Sequence, residues 1–98
     1  MTSKPTGKFR RNPRHDFDRD IVYDVLDLKK DDGTEQIRCE VFREALEDRA
    51  GTSAGDILSL YEKHQHEVHD AFDRRLKLGQ READGSIFVR TGELRPIA

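Results

Sequence analysis

Between residues 37 and 51 the spacing of apolar positions changes from that of a strand to that of a helix. Segment 37–41 has the sequence I-R-C-E-V, in which apolar and charged residues alternate as they do in a strand with one buried face. Apolar residues then recur at helical spacing from Phe42 until Gly51, a residue type that often follows the last turn of a helix. The pattern predicts a strand that leads directly into a helix over about residues 42–50.

An earlier segment predicts a second strand. Residues 21–28, I-V-Y-D-V-L-D-L, are rich in β-branched and aromatic side chains, and apolar residues fall on both of their faces. Asp32 and Gly33 then form a turn signal, because glycine readily takes a positive φ. We therefore expect an antiparallel hairpin whose return strand covers residues 35–41.

The remaining pattern predicts one long helix and a third strand. Apolar residues recur every three or four positions from residue 54 to residue 78, as expected of an amphipathic helix that ends at Gly79. A turn signal at Asp84 and Gly85 precedes an apolar run over residues 86–91. The predicted fold class is α+β: a small antiparallel sheet in the order β-β-α-α-β, with one short and one long helix packed on one face.

Length and charge predict how the chain is divided. With 98 residues, of which 39% are charged, there is room for one domain with a small core. The first 15 residues contain five Lys and Arg residues and no acid, although the whole chain has a net charge of −2. We expect a disordered basic arm over residues 1–16, a single domain over residues 17–92 and a flexible tail over residues 93–98.

The sequence predicts a soluble cytoplasmic protein. The single cysteine, Cys39, permits no disulfide within the chain, which suits a reducing compartment. No apolar stretch approaches the roughly 20 residues that a membrane-spanning helix requires. The basic N-terminus also lacks the apolar segment of a signal peptide, so we expect no contact with a membrane.

The chain resembles a known family in several ordered motifs. Residues 37–51 combine I-x-C-x-V with E-A-L-E-D-x-x-G, and the long helix is followed by D-G-S-I at residues 84–87. Over residues 17–92 this order is similar to the domain-of-unknown-function family 1488, small single-domain proteins of proteobacteria. The resemblance implies a fold and no activity. Phe42 departs from the Ser or Thr that commonly caps the first helix in the family, so either the helix starts elsewhere or the packing of Phe42 compensates.

Histidines on the long helix form the nearest approach to a metal site. His66, His69, Asp70 and Asp73 lie three or four residues apart, so they share one helical face and could bind one Zn²⁺. The sequence has no H-E-x-x-H motif at this position. A solvated polar face with ion pairs between successive turns explains the same spacing, and metal binding remains a third hypothesis for function.

The sequence predicts no enzyme and no cofactor. Cys39 alternates in phase with Ile37 and Val41, which indicates a buried side chain rather than an exposed nucleophile. No glycine-rich phosphate loop and no Ser-His-Asp arrangement stand out.

The basic arm supports a second hypothesis, the binding of nucleic acid or another polyanion. Its candidate residues are Lys8, Arg10, Arg11 and Arg14, with Phe9 available to stack on a base. A solubilising tail is the simpler explanation of the same composition.

The first hypothesis is a non-enzymatic accessory domain that acts through protein–protein contact. A strand that is apolar on both faces requires cover on both, and helices are expected on only one. We expect a protein partner, or a second copy in a homodimer, to cover the other face; cover by the basic arm or by the C-terminal tail is the simpler alternative. The pattern does not determine which face of the strand is outward. The predicted contact residues are Val22, Leu26 and Leu28.

Overall fold

The computed structural model describes residues 6–51 and 55–94 and contains one sheet and three helices in that part of the chain. The elements in chain order are β1 (Thr6–Phe9), β2 (Arg14–Asp16), β3 (Ile21–Lys30), β4 (Gly33–Phe42), α1 (Arg43–Ala50), α2 (Ile57–Lys63), α3 (Gln65–Lys77) and β5 (Ile87–Val89). The predicted α+β class and the order of its main elements are confirmed.

The β3–β4 hairpin is the centre of the sheet. Its antiparallel register runs from the pair Ile21 and Phe42 to the pair Lys30 and Gly33, as the turn signal predicted. Strands β1 and β2 both pair with β3 on its other side, and β5 pairs with β4. Because the chain crosses over through three helices before it returns, β5 lies parallel to β4. The sheet is therefore mixed, and the prediction of a purely antiparallel sheet was wrong at β5.

The predicted long helix is two helices in the structure. It is interrupted at His64, where φ is −109° and ψ is 20°. The helix before His64 contacts β2 and β3, and the helix after it contacts β5 and, through His69, Phe9 of β1. The backbone at His64 is not helical, so one continuous apolar pattern is divided between two helices. The first predicted helix, α1, ends at Gly51 as expected, with φ at 72°.

The helices cover the face of the sheet that carries Val22, Leu26 and Leu28. These side chains are 0%, 2% and 5% exposed and belong to the same apolar core as Leu46 and Phe72 of the helices. The prediction that they form a contact surface was wrong. Apolar residues alternate on both faces of β3, so the pattern could not show which face the helices would choose, and the buried Asp24 obscured it further.

The basic arm is ordered over residues 6–16, where the sequence predicted disorder. Strands β1 and β2 extend the sheet beside β3, and Phe9 packs against the core. The pairing with β3 and the burial of this ring offset the loss of chain entropy that composition alone suggested. Residues 1–5 lie outside the described residues. In the predicted tail, Leu94 is buried and Glu93 pairs with Arg75, whereas residues 95–98 are not described.

Phe42 occupies the N-cap position of α1, where its side chain packs against the protein instead of forming a capping hydrogen bond. Its side chain makes no capping hydrogen bond, but its ring meets the edge of Phe88 at 4.5 Å between centroids. The backbone N–H of Arg43 donates to the carbonyl oxygen of Asp20 at 3.2 Å. A tertiary contact therefore satisfies one of the free N–H groups at the start of α1.

At Gly7, β1 approaches the core closely. A methyl group on its Cα would lie 2.9 Å from Cδ1 of Leu26, so this buried side chain, which is 2% exposed, would have to shift. We expect Gly7→Ala to lower the free energy of unfolding by about 1 kcal/mol, measured by urea denaturation, because overpacking exceeds the entropic gain of removing a glycine. Lys8→Ala, on the opposite side of the same strand, is the control and should change stability by less than about 0.5 kcal/mol. Equal stability of Gly7→Ala and the wild type would contradict this account.

Candidate functional site

The second face of the sheet, here called the open face, carries the residues that alternate with the core positions. On β3 and β4 it includes Tyr23, Val25, Arg38 and Glu40. Tyr23 pairs with Glu40, and Val25 pairs with Arg38, so cross-strand neighbours share this face. The core cluster that unites the described helices with the sheet contains none of these four side chains. The open face is therefore the surface of the sheet that the described helices leave uncovered.

Basic side chains are concentrated on the open face. The register places Lys8 opposite Asp27 and Arg14 opposite Tyr23, so the ordered part of the basic arm contributes to this surface. Six Lys and Arg residues and three Asp and Glu residues meet here, a net charge of +3, whereas the whole chain has −2. The nine residues are Lys8, Arg10, Arg14, Arg19, Lys29, Arg38, Asp16, Asp27 and Glu40.

Glu40 is a buried carboxylate on the open face that binds two of its arginines. Its side chain is 4% exposed, and its carboxylate accepts hydrogen bonds from Arg19 at 2.9 Å and from Arg38 at 2.8 Å. A buried carboxylate is stable only when such partners replace its hydration. The two arginines remain 53% and 43% exposed, so their outer sides can contact a partner.

Arg38 is also fixed in its orientation. Its guanidinium lies 3.8 Å from the centroid of the Tyr23 ring and 3.7 Å from a carboxylate oxygen of Asp16 on β2. Glu40, Asp16 and the ring of Tyr23 hold the guanidinium from three directions. The result is a planar, cationic group presented at the middle of the open face.

A shallow groove of about 490 Å³ continues the open face beyond β5. Its lining includes Arg19, Glu40, Asp84, Phe88 and Arg90. The Arg90 guanidinium lies 5.3 Å from the centroid of the Phe88 ring and 3.5 Å from a carboxylate oxygen of Glu82. Charges of both signs line this groove. It therefore attracts an anion less strongly than the basic side chains of β1 and β2 on the open face do.

A second polar cluster lies on the helix-covered side of the sheet, under β1. The ring of His69 stacks on Phe9 at 3.9 Å between centroids, and its Nε2 is hydrogen-bonded to the Tyr61 hydroxyl at 3.2 Å. Burial lowers the pKa of His69 to about 4 and raises the pKa of Tyr61. Both side chains are therefore neutral at pH 7 and serve packing rather than proton transfer.

Asp24 of β3 belongs to the same cluster and binds the backbone of the segment between β1 and β2. It is 2% exposed, and its carboxylate accepts hydrogen bonds from the backbone N–H groups of Arg11, Asn12 and Val25 at 3.1, 3.3 and 2.8 Å. Arg11 adopts a positive φ of 59°, which side-chain-bearing residues rarely take. The carboxylate of Asp24 thus holds the irregular segment between β1 and β2 in place.

Cys39 is buried on the core face of β4, as its alternation predicted. Burial raises the pKa of its thiol to about 12, with a smaller contribution from the negative charge of Asp24. A thiol with this pKa is protonated at pH 7, so Cys39 has the surroundings of a core residue and not those of an activated nucleophile.

The structure does not bring the predicted metal ligands together. His69 points into the cluster with Tyr61, while Asp70 pairs with Arg74 and Asp73 pairs with Lys77, each one helical turn away. His66 is exposed on α3. Within residues 6–51 and 55–94, no group of three His, Cys, Asp or Glu side chains is placed to hold a metal ion. Helical spacing alone did not reveal that tertiary packing turns His69 inward.

The four basic residues predicted to bind a polyanion have different surroundings. Lys8 and Arg14 lie exposed on the open face, and Arg10 forms a two-point ion pair with Asp27 at 2.8 and 3.0 Å. Arg11 lies in the segment between the two edge strands, where its backbone binds Asp24. The arm therefore contributes to a surface of the folded domain, which the prediction of a disordered arm did not include.

Sequence reasoning missed Arg19, Arg38 and Glu40 as a group. A signal was present, because the pattern I-R-C-E-V places Arg38 and Glu40 next to each other on the face opposite Cys39. Nothing in the local pattern indicated that Arg19, from the turn before β3, would reach Glu40. That contact depends on the pairing of β3 with β4.

Comparison with known proteins identifies the family. The family model described as "Protein of unknown function (DUF1488)" matches residues 30–89. The chain belongs to the DUF1488 family. A solved structure of a protein of unknown function from the DUF1488 family of Shewanella loihica PV-4 has 16% sequence identity, a TM-score of 0.80, and alignment over 92% of this chain and 98% of that chain. This likeness shows that the two DUF1488 proteins share a fold.

A search of curated proteins gave no significant match. The predicted resemblance to the family is thus confirmed, and the family assignment adds no activity. Among the described residues of this DUF1488 domain, no helix is both long and apolar enough to span a membrane.

Proposed function

We propose that this DUF1488 domain is a non-enzymatic accessory domain that binds a macromolecular partner through its open face. The observation that supports the proposal is the unequal cover of the sheet. One face is buried under three helices, while Tyr23 and Val25 on the other are only half-buried. A half-buried ring beside exposed arginines is typical of a contact surface, in which aromatic and Arg side chains are enriched.

The chemistry of the reactive side chains supports a role in binding rather than catalysis. Burial raises the pKa of the Cys39 thiol and lowers that of His69, so neither group suits nucleophilic or acid–base chemistry near pH 7. The carboxylates of Glu40 and Asp24 already accept three hydrogen bonds each. A buried lone cysteine suits a reducing compartment, and we propose the cytoplasm as the place of action.

The proposed contact surface is the open face, and no longer the core residues of β3 that the sequence predicted. The proposal includes a second copy of the chain among the possible partners, because a homodimer would cover the same surface. The net charge of +3 opposes a face-to-face pair of identical copies, since like charges would meet across it. An acidic or anionic partner would be attracted to the same surface.

The proposal is tested by comparing what the purified protein carries with it. A tagged wild type and the double variant Tyr23→Ser with Val25→Ser are purified from cells, and the bound protein, the bound nucleic acid and the solution mass are measured. We expect the double variant to lose the bound material or to return to the monomer mass of 11.4 kDa. The matched control is Glu44→Ser with Asp48→Ser on the exposed side of α1, which should behave as the wild type does.

A wild type that is monomeric and carries no partner would contradict the proposal. So would a partner that the Tyr23→Ser, Val25→Ser variant retains at the wild-type level. Far-UV circular dichroism and thermal unfolding establish that each variant is folded before the comparison is made.

A further inference from the structure

We infer that the partner of the open face is a single-stranded nucleic acid, whose phosphates contact Lys8, Arg14 and Lys29 and whose bases stack on Arg38. The inference rests on the proposed function and names the partner's chemistry. It is carried by the placement of charge and by the fixed plane of one guanidinium.

Positive charge is concentrated on the open face. Lys8, Arg14 and Lys29 are exposed on the open face, and none of them forms an ion pair with a described residue. The other three cations of this face balance its three carboxylates, so Lys8, Arg14 and Lys29 account for its net charge of +3. Because the chain as a whole is negative, the field attracts an anionic polymer to this face and repels it from the rest of the molecule.

The three cations that pair with no described residue are spread along the sheet. Lys29 lies on β3 itself, whereas Lys8 and Arg14 lie on the neighbouring strands opposite Asp27 and Tyr23 of β3. At about 3.3 Å per residue along a strand, the set spans roughly 20 Å of the sheet edge. A line of separate positive charges fits an extended chain of phosphates better than it fits one compact anion.

A planar group on which a base can stack lies beside these cations. The Arg38 guanidinium lies on Tyr23, and its ion pairs with Glu40 and Asp16 fix its plane. Unstacked bases bind on aromatic rings and on Arg guanidinium planes, and this interaction tolerates any base. A side chain held in its binding orientation loses little entropy when the ligand arrives.

The geometry favours a single strand over duplex DNA, a second copy of the chain and an acidic protein. In the described part of the chain the open face presents strands and no projecting helix that could enter a groove of duplex DNA. A second copy would bring two positive faces together. An acidic protein would match the charge of this face but has no requirement for the planar Arg38.

The inference is tested by fluorescence anisotropy with the full chain and labelled oligomers of about ten thymidines or ten uridines, a length within the range of sheet-based single-strand sites. We expect binding that weakens as salt is raised. Lys8→Ala with Arg14→Ala and Lys29→Ala should weaken binding at least tenfold and make the slope of log K against log salt shallower by about 2, since each phosphate contact contributes about 0.7. The matched control, Lys63→Ala with Arg74→Ala and Lys77→Ala, removes the same charge from the helices and should reduce binding far less.

A second variant separates stacking from charge. Arg38→Lys keeps the positive charge but removes the guanidinium plane, so we expect weaker binding with an unchanged salt slope. Heparin, a polyanion without bases, should bind more weakly than the oligomers and should be insensitive to Arg38→Lys. The thymidine and uridine oligomers together report whether DNA or RNA is preferred.

Two results would overturn the inference: no binding of either oligomer at low salt, or binding that the open-face triple variant leaves unchanged. Heparin binding as tight as that of the oligomers and equally sensitive to Arg38→Lys would also overturn it. If the oligomers fail to bind while Tyr23→Ser with Val25→Ser still releases a copurified protein or halves the solution mass, the inference falls and the proposed function remains. If neither response occurs, both fall.

Discussion

Asp24→Ala is expected to lower the free energy of unfolding by about 3 kcal/mol, because it removes the acceptor of three backbone N–H groups in the interior. Those groups belong to Arg11, Asn12 and Val25, and the buried carboxylate replaces the strand partner that is missing between β1 and β2. Losing it should also release Arg11 from its positive φ and loosen β1 from the sheet. Urea denaturation gives the free energy, and hydrogen exchange at residues 7–12 reports the loosening.

Two further variants make this prediction specific. Asp24→Asn retains an oxygen for the N–H groups of Asn12 and Val25 but turns an amide toward that of Arg11, so it should lose about half as much stability. Asp27→Ala removes the exposed carboxylate that pairs with Arg10 on the same strand and should change stability by less than about 1 kcal/mol. Equal effects of Asp24→Ala and Asp27→Ala would contradict the role assigned to Asp24.

Acidification from pH 7 to pH 4.5 is expected to remove about 2 kcal/mol of stability through His69 alone. Burial lowers its pKa from 6.5 to about 4 in the folded protein. The negative charge of Asp24 opposes this shift, and the positive charges of Arg11 and His66 add to it. Since the unfolded chain binds the proton more readily, the contribution is complete above pH 6.5 and is lost as the pH falls through about 4.

The measurement is the free energy of unfolding at both pH values for the wild type and for His69→Phe. The phenylalanine ring keeps a stacking partner for Phe9 but cannot titrate, so its loss of stability on acidification should be smaller by about 2 kcal/mol. Titration of the carboxylates is common to both proteins and cancels in the difference. His66→Gln, which changes an exposed histidine on the same helix, should follow the wild type. Parallel pH dependence of His69→Phe and the wild type would show that His69 does not carry the effect.

Local pattern was sufficient for most of the individual elements. The β3–β4 hairpin, the strand that leads into α1 and the helix stop at Gly51 agree with the sequence, because alternation, turn residues and glycine act over neighbouring residues. The order of the elements also supported the resemblance to DUF1488, which the family match confirms. The break at His64 was not predictable in this way, since the apolar pattern continues across it.

The candidate site was only partly predictable. Alternation places Arg38 and Glu40 on one face of β4, and the basic composition of the arm marks Lys8 and Arg14. Their meeting on one surface depends on the pairing of β1 and β2 with β3, which the composition of the arm gave no reason to expect. The sequence also predicted that His69 shares an exposed, metal-binding face of the long helix. A tertiary contact decides otherwise, because packing against Phe9 turns His69 inward.

By itself, the sequence determined the α+β class, the central hairpin, the buried state of Cys39 and the unequal distribution of charge. These properties depend on side-chain period, turn chemistry and composition, all of which act locally. Only the tertiary structure decided which face of β3 the helices cover, because both faces carry apolar residues and either could have been buried. It also decided that the basic arm becomes the edge of the sheet. The carboxylate of Asp24 and the ring stack of His69 on Phe9 hold that edge, and both join residues that lie far apart in the chain.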